Sequence, residues 1–315
     1  MTGRCHLLSG AIAALLLMTA ACDESALTRL PTADAGQRCR VAGQITRSDT
    51  HVLRCERRRY RRIATLDQAR ALIRSAGPTL PPGVLVVGDS FAMSLVPGLR
   101  VEALTSHATS GASGDVFEVI SAGMAGCGVG RGGINRGIGL EREWPDACKN
   151  RDRFLQAVLG QTRPAVAVVA GGMWDVTDRR LAGDGAWRTV GDPTYDLYLV
   201  GEILHLVDLL AASGAKVVWT TAPRWNPAYT PALFMGPPPY PEAQPQRTDR
   251  LNELFRLALA RRPGVQLIEL AAYLQSLPGG EFGPGVRDDS GVHLSSETST
   301  LVARWLMPQV LGRPG

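Results

Sequence analysis

Val84-Leu85-Val86-Val87-Gly88-Asp89-Ser90-Phe91-Ala92 changes character at Gly88. Four consecutive apolar residues without polar alternation read as a strand buried on both faces. From Phe91 to about Leu104 the apolar residues recur at helical spacing. A serine on such a strand-to-helix turn stands at the carboxyl end of its strand, with its N–H at a helix N-terminus. That suits a nucleophile contributing half of its own oxyanion site. An N-cap serine is the plain structural alternative. The turn is not a G-x-S-x-G elbow, because position 92 is Ala.

Outward from this turn the chain alternates strand and helix. Further strands are expected at 116–121, 165–170, 216–221 and 265–270. Helices are expected near 153–159, 202–212, 248–260 and 298–311, with a short one over 65–77 ahead of the Pro-rich boundary 78–83. Apolar strands separated by helices predict a parallel sheet covered on both faces, with its sites at the carboxyl ends of the strands. Five histidines are available as bases. His6 falls in an apolar leader, His51 in a small N-terminal module, His107 in a polar loop, and His205 on a helix. His293, in Asp288-Asp289-Ser290-Gly291-Val292-His293-Leu294-Ser295, has carboxylates beside it at a strand end. An imidazole held by a carboxylate can take a serine proton.

At 315 residues the chain holds one large α/β domain and a smaller unit; 45% apolar and 20% charged residues exclude disorder. The apolar run from Leu7 to Ala21 follows a short basic start and is too short for a comfortable span, so residues 1–21 read as an export signal. It ends Thr19-Ala20-Ala21-Cys22, which resembles a lipobox with Cys22 as the lipidated residue; ordinary signal cleavage is the alternative. Residues 22–36 form a tether and 37–64 a small basic β module, with a helix and linker over 65–82. The net charge of +5 is concentrated here: Arg38, Arg40, Arg47, Arg54, Arg57, Arg58, Arg59, Arg61 and Arg62 face only Asp49 and Glu56. That edge suits anionic headgroups or wall polymer, or is simply solvated. Cys39, Cys55, Cys127 and Cys148 remain for an oxidising compartment. Pairing 39 with 55 and 127 with 148 is the simplest of three connectivities; zinc is disfavoured by the absence of C-x-x-C and H-x-x-x-H.

Gly88-Asp89-Ser90 at the domain start, and an acid and a histidine just before the last helix, resemble the first and last blocks of the SGNH, or GDSL-type, hydrolase family. The resemblance covers about 83–312 and implies a flavodoxin-like three-layer sandwich with a central parallel sheet over 83–315. It implies Ser90 as nucleophile, His293 as base and Asp289 as the orienting acid. The family acid stands three residues before the histidine, where this chain has Ser290, so Asp289 requires one extra residue absorbed at Gly291. For the oxyanion hole it implies the Ser90 N–H and a glycine after the second strand, here Gly126. The third block, usually Gly-x-Asn-Asp, reads Gly172-Met173-Trp174-Asp175, so Trp174 replaces the asparagine donor and either substitutes for it or walls the pocket.

Gly126-Cys127 with a downstream Cys, Trp174-Asp-Val-Thr-Asp-Arg179, Thr220-Thr-Ala-Pro223 and Gly291-Val-His-Leu-Ser295 resemble a narrower group. These are the periplasmic SGNH domains associated with acyltransferase-3 membrane proteins. The expected function is ester chemistry on acylated envelope polysaccharide, with a separate membrane acyltransferase as partner, or on small acyl esters alone. No cofactor, metal or nucleic acid is called for. The rival from another class is a degenerate SGNH domain that binds wall glycan without turning it over. Gly128-Val-Gly-Arg-Gly-Gly133 satisfies G-x-G-x-x-G but opens no helix, and no strand ending in an acid follows at the dinucleotide-binding distance.

Overall fold

The computed structural model describes residues 27, 30–70, 83–109, 117–230 and 235–312, with 106–109 by backbone alone. The expected leader over 1–21, Cys22 and most of the expected 65–82 helix and linker lie outside the described residues. The chain divides into two compact units, at Pro81/Pro82.

In the first unit β1 (Ile45–Arg47), β2 (His51–Glu56) and β3 (Arg59–Thr65) form an antiparallel sheet in sequence order. Two apolar sets are buried: Cys39, Leu53, Cys55 and Tyr60, and Leu27, Val52 and Ala69. Both are too small to hold so short a sheet unaided, and the Cys39–Cys55 disulfide closes it. Residues 66–70 are helical, as expected.

In the second unit the expected strands are β4 (Gly83–Gly88), β5 (Glu118–Gly123), β8 (Val166–Ala170), β10 (Lys216–Thr220) and β11 (Gln266–Ile268). They pair in parallel in the order β11-β10-β8-β4-β5. Helices α1 (Ser90–Thr109), α3 (Arg151–Thr162), α4 (Pro193–Ala211), α5 (Pro245–Leu259) and α7 (Ser296–Val310) alternate with the strands; α2 (Asp146–Lys149) and α6 (Leu270–Gln275) are single short turns. Val84 to Val87 and Val166 to Ala170 are buried throughout, as continuous apolar strands require when both faces are covered. The strand order reverses between β4 and β8, the place where doubly wound sheets open a crevice. α1 crosses α7 closely at Gly98, whose N–H donates to the Ser299 hydroxyl at 3.0 Å.

A second, antiparallel sheet was not foreseen: β7 (Leu140–Glu143), β6 (Ile134–Gly137) and β9 (Asp178–Arg180), in that order. These strands are three or four residues long and β9 joins β6 from some forty residues away, so no local periodicity announces them.

Candidate active site

Gly88 ends β4 at φ +143°, and a Cβ there would lie 1.8 Å from the Ala170 carbonyl oxygen. Glycine alone lets β4 turn this close to β8. Asp89 follows, buried; its Oδ1 accepts the Phe91 N–H at 2.9 Å and its Oδ2 the Gly172 N–H at 3.0 Å. One carboxylate thus caps α1 and ties the exit of β8 to that of β4. Burial pushes its acid up to about 6 despite those two N–H donors. Ser90 is the first residue of α1, where the aligned backbone dipoles favour negative charge.

The Ser90 Oγ lies 2.9 Å from His293 Nε2. His293 is placed by a short hairpin: Arg287 and Leu294 bridge antiparallel, and the Asp288 N–H donates to the His293 carbonyl at 3.0 Å. Residues facing each other across such a pair have neighbouring side chains. Asp288 Oδ2 is accordingly 3.3 Å from His293 Nδ1. Ser290 Oγ lies 3.1 Å from the same nitrogen and donates to Asp288 Oδ1 in a short hydrogen bond. With Nδ1 protonated toward this pair, Nε2 is the free acceptor for the serine proton. The tip turns at Gly291, φ +68°, where a Cβ would meet the Asn226 carbonyl oxygen at 2.0 Å. Ser94, one turn along α1 from Ser90, accepts the Leu294 N–H at 3.2 Å and fixes the histidine from its other side.

Asp289, the expected acid, is not beside the imidazole. It is exposed and makes no ion pair or hydrogen bond among the described residues. The expectation treated one extra residue as a bulge at Gly291, whereas the chain folds back as a paired hairpin that puts Asp288 across from His293.

Behind this hairpin the Arg287 side chain is buried. Its guanidinium donates to the carbonyls of Glu281 (3.0 Å), Val292 (2.7 Å) and Arg224 (3.1 Å). It also lies over the rings of Phe91, Trp225 and Phe282. Burial lowers it to about 10, still cationic at neutral pH. Arg287 therefore ties two neighbouring segments, at Arg224 and Glu281, to the hairpin that carries His293, a role that no local pattern signals.

Gly126 sits after β5 in a turn closed by the Cys127 N–H on the Met124 carbonyl at 3.1 Å. Met124 in turn donates its N–H to the Gly88 carbonyl at 2.8 Å, which brings this loop to the end of β4. The loop is fastened by the expected disulfide and by buried polar groups to which the sequence reading gave no role. The Cys127–Cys148 disulfide anchors its start. Buried Asp175 accepts the N–H groups of Val129 and Gly130, both at 2.8 Å. Arg151 donates to the carbonyls of Gly128 and Val129, and Tyr198 to that of Arg131 at 2.6 Å. Asp175 is pushed up by burial against the lowering pull of Arg179 and these donors. A cavity of about 20 Å³, lined in part by Gly88, Asp89, Gly128, Arg151 and Asp175, separates the two buried acids. It has room for about one water and none for a substrate.

The SGNH domain family of the kind fused to AT3 domains matches residues 54–308. The chain belongs to this family. Among curated proteins none matches the sequence. Of solved structures, it is similar to Est24, a carbohydrate acetylesterase from Sinorhizobium meliloti: 15% identity, 73% of this chain and 99% of that one, TM-score 0.46. It is similar to the psychrotrophic esterase EstA from Pseudoalteromonas sp.: 13% identity, 73% and 96%, TM-score 0.43. It is also similar to the periplasmic domain of the Salmonella ser. Paratyphi A lipopolysaccharide acetyltransferase: 13% identity, 76% and 87%, TM-score 0.43. As an SGNH domain the chain is an enzyme of the class that acts on ester bonds.

At the third SGNH block, Trp174 lies in the 3₁₀ turn Met173–Asp175 and packs its ring against the core. Its indole N–H is buried and meets no acceptor among the described residues. As placed, Trp174 walls the core and does not present a donor to the crevice. His205, read as a helix-surface or packing residue, contacts Asp152 at 2.7 Å through Nε2. All four described cysteines form the two expected disulfides. No helix among the described residues is long and apolar enough to cross a membrane.

Proposed function

We propose that the chain is an exported O-acyl esterase or acyltransferase working through Ser90, His293 and Asp288. The reading rests on one observation: Ser90 Oγ lies 2.9 Å from Nε2 of an imidazole whose Nδ1 lies 3.3 Å from a carboxylate. Ser90 attacks the ester carbonyl carbon as its proton passes to His293 Nε2, and Asp288 stabilises the imidazolium that results. Ser290, bonded to both partners, keeps ring and acid in register. The oxyanion takes hydrogen bonds from the N–H of Ser90 at the α1 N-terminus and of Gly126. Collapse expels the alcohol, protonated by His293, and leaves Ser90 acylated. Water or a second hydroxyl, deprotonated by the same histidine, then removes the acyl group. Hydrolysis and transfer share every step but the last.

The two disulfides support an oxidising compartment. With the AT3-associated family, they support acyl groups of envelope polysaccharide as substrate and a membrane acyltransferase as partner. The test supplies an acetylated oligosaccharide and measures released acetate and acetylated acceptor. Wild type forms one or both, and Ser90→Ala, equally folded, forms neither. Activity surviving in Ser90→Ala would sink the mechanism; an inert wild type that still retains the glycan would mark a binding module. Lipidation at Cys22 predicts that Cys22→Ala abolishes acyl labelling of the exported chain, and an unlabelled wild type would refute it.

A further inference from the structure

The β2–β3 hairpin of the first unit turns through Arg57 and Arg58, at φ +49° and +62°. A two-residue hairpin turn with both centres left-handed is the place for Asn-Gly, because a Cβ crowds the backbone there. Behind the turn, Arg54 and Arg61 stand directly opposite each other, a like-charge pair that weakens a sheet. None of the nine arginines between 38 and 62 forms an ion pair among the described residues. Two local rules are broken within one hairpin, where the one opposite-charge pair across the strands is Glu56 with Arg59. Such departures gather where function demands them.

The neighbouring segment completes the surface. The Cys39 N–H donates to the Arg58 carbonyl at 3.0 Å and the Gly43 N–H to the Cys55 carbonyl at 2.9 Å, so residues 38–43 run alongside the hairpin end. The Cys39–Cys55 disulfide fixes them there. Arg38, Arg40, Arg57, Arg58 and Arg59 are exposed at this end, and so is Val41, at 62%. A soluble polyanion would use the cations alone. Exposed arginines on the same end as an exposed aliphatic side chain match the boundary between lipid headgroups and acyl chains.

We propose that this hairpin end is a docking surface for an anionic phospholipid bilayer, with Arg57 and Arg58 contacting headgroup phosphates and Val41 entering the interface. Docking of this kind is independent of the ester chemistry, and neither fails with the other.

The test is partitioning of the purified exported protein onto vesicles of phosphatidylcholine alone and of an equal phosphatidylcholine–phosphatidylglycerol mixture. A lipid anchor or apolar leader binds both alike, so the ratio reads the hairpin. Wild type should prefer the anionic vesicles and lose that preference in high salt. Arg57→Asn/Arg58→Gly removes two charges while supplying the residues this turn favours. It should fold at least as stably as wild type and partition roughly 30-fold more weakly, at the strength usual for two cations at an anionic surface. Val41→Ser should weaken binding while leaving its salt dependence unchanged. Equal partitioning of wild type on both vesicles would overturn the proposal. So would unchanged binding by the double variant, or capture by soluble polyphosphate without any preference for anionic vesicles.

Discussion

Asp288 and His293 are five residues apart in sequence and adjacent only because the chain pairs with itself between them. On the proposed mechanism, Asp288→Asn should lower kcat on the order of 10³–10⁴-fold with KM little changed, since an amide does not stabilise the imidazolium. Asp289→Asn should behave as wild type, and Ser290→Ala should fall between them. Steady-state kinetics on an aryl acetate separate the three; a crippled Asp289→Asn beside a healthy Asp288→Asn would reverse the assignment. That Ser90 and His293 would meet was legible because each lies in a local motif at a strand end. Which carboxylate lies beside the imidazole was not, because that depends on hairpin register, and Arg287 and Ser94 bond to backbone groups, which leaves no pattern. Trp174 shows the same limit: its substitution for Asn is visible in the sequence, while the burial of its N–H is set by packing.

The strands and helices of the main sheet were legible because each carries its own periodicity. β6, β7 and β9 were not, being short and paired over long separations. At this scale the buried acids matter most. Asp89 joins β4, α1 and β8 through two backbone donors, and burial raises it from 3.8 to about 6. Between those pH values the native chain keeps a proton that the unfolded chain has released. Its contribution therefore lowers stability as pH rises from about 4 to about 6, by on the order of 3 kcal/mol, and levels off above. Asp175 and Glu242, also raised by burial, act in the same direction. Asp89→Asn, which cannot ionise, should show a visibly shallower decline of Tm over that range, although it leaves one backbone N–H poorly paired. Identical slopes in the two proteins would remove Asp89 from the account.

Over the whole molecule, the two units differ in the side chains they present. The second unit holds a serine, an imidazole and a carboxylate in succession at the point where the sheet reverses order, with the Gly126 loop clamped by a disulfide and buried polar groups. The first unit is a small disulfide-closed sheet in which the nine arginines from 38 to 62 make no ion pair among the described residues. The sequence predicts a small basic module over 37–64 and a helix and linker over 65–82, ahead of a large domain beginning at 83. What could not be anticipated is how the buried network of Asp175, Arg151 and Tyr198 holds the Gly126 loop, since its members come from three elements far apart in sequence. The central claim is that this network and the base-bearing hairpin serve one activated serine. Reaction with a fluorophosphonate, followed by peptide mass spectrometry, tests it most directly. The account predicts a single phosphonyl adduct on Ser90, absent in Ser90→Ala and strongly slowed in His293→Ala. An adduct on another residue, or none on the folded wild-type protein, would contradict it.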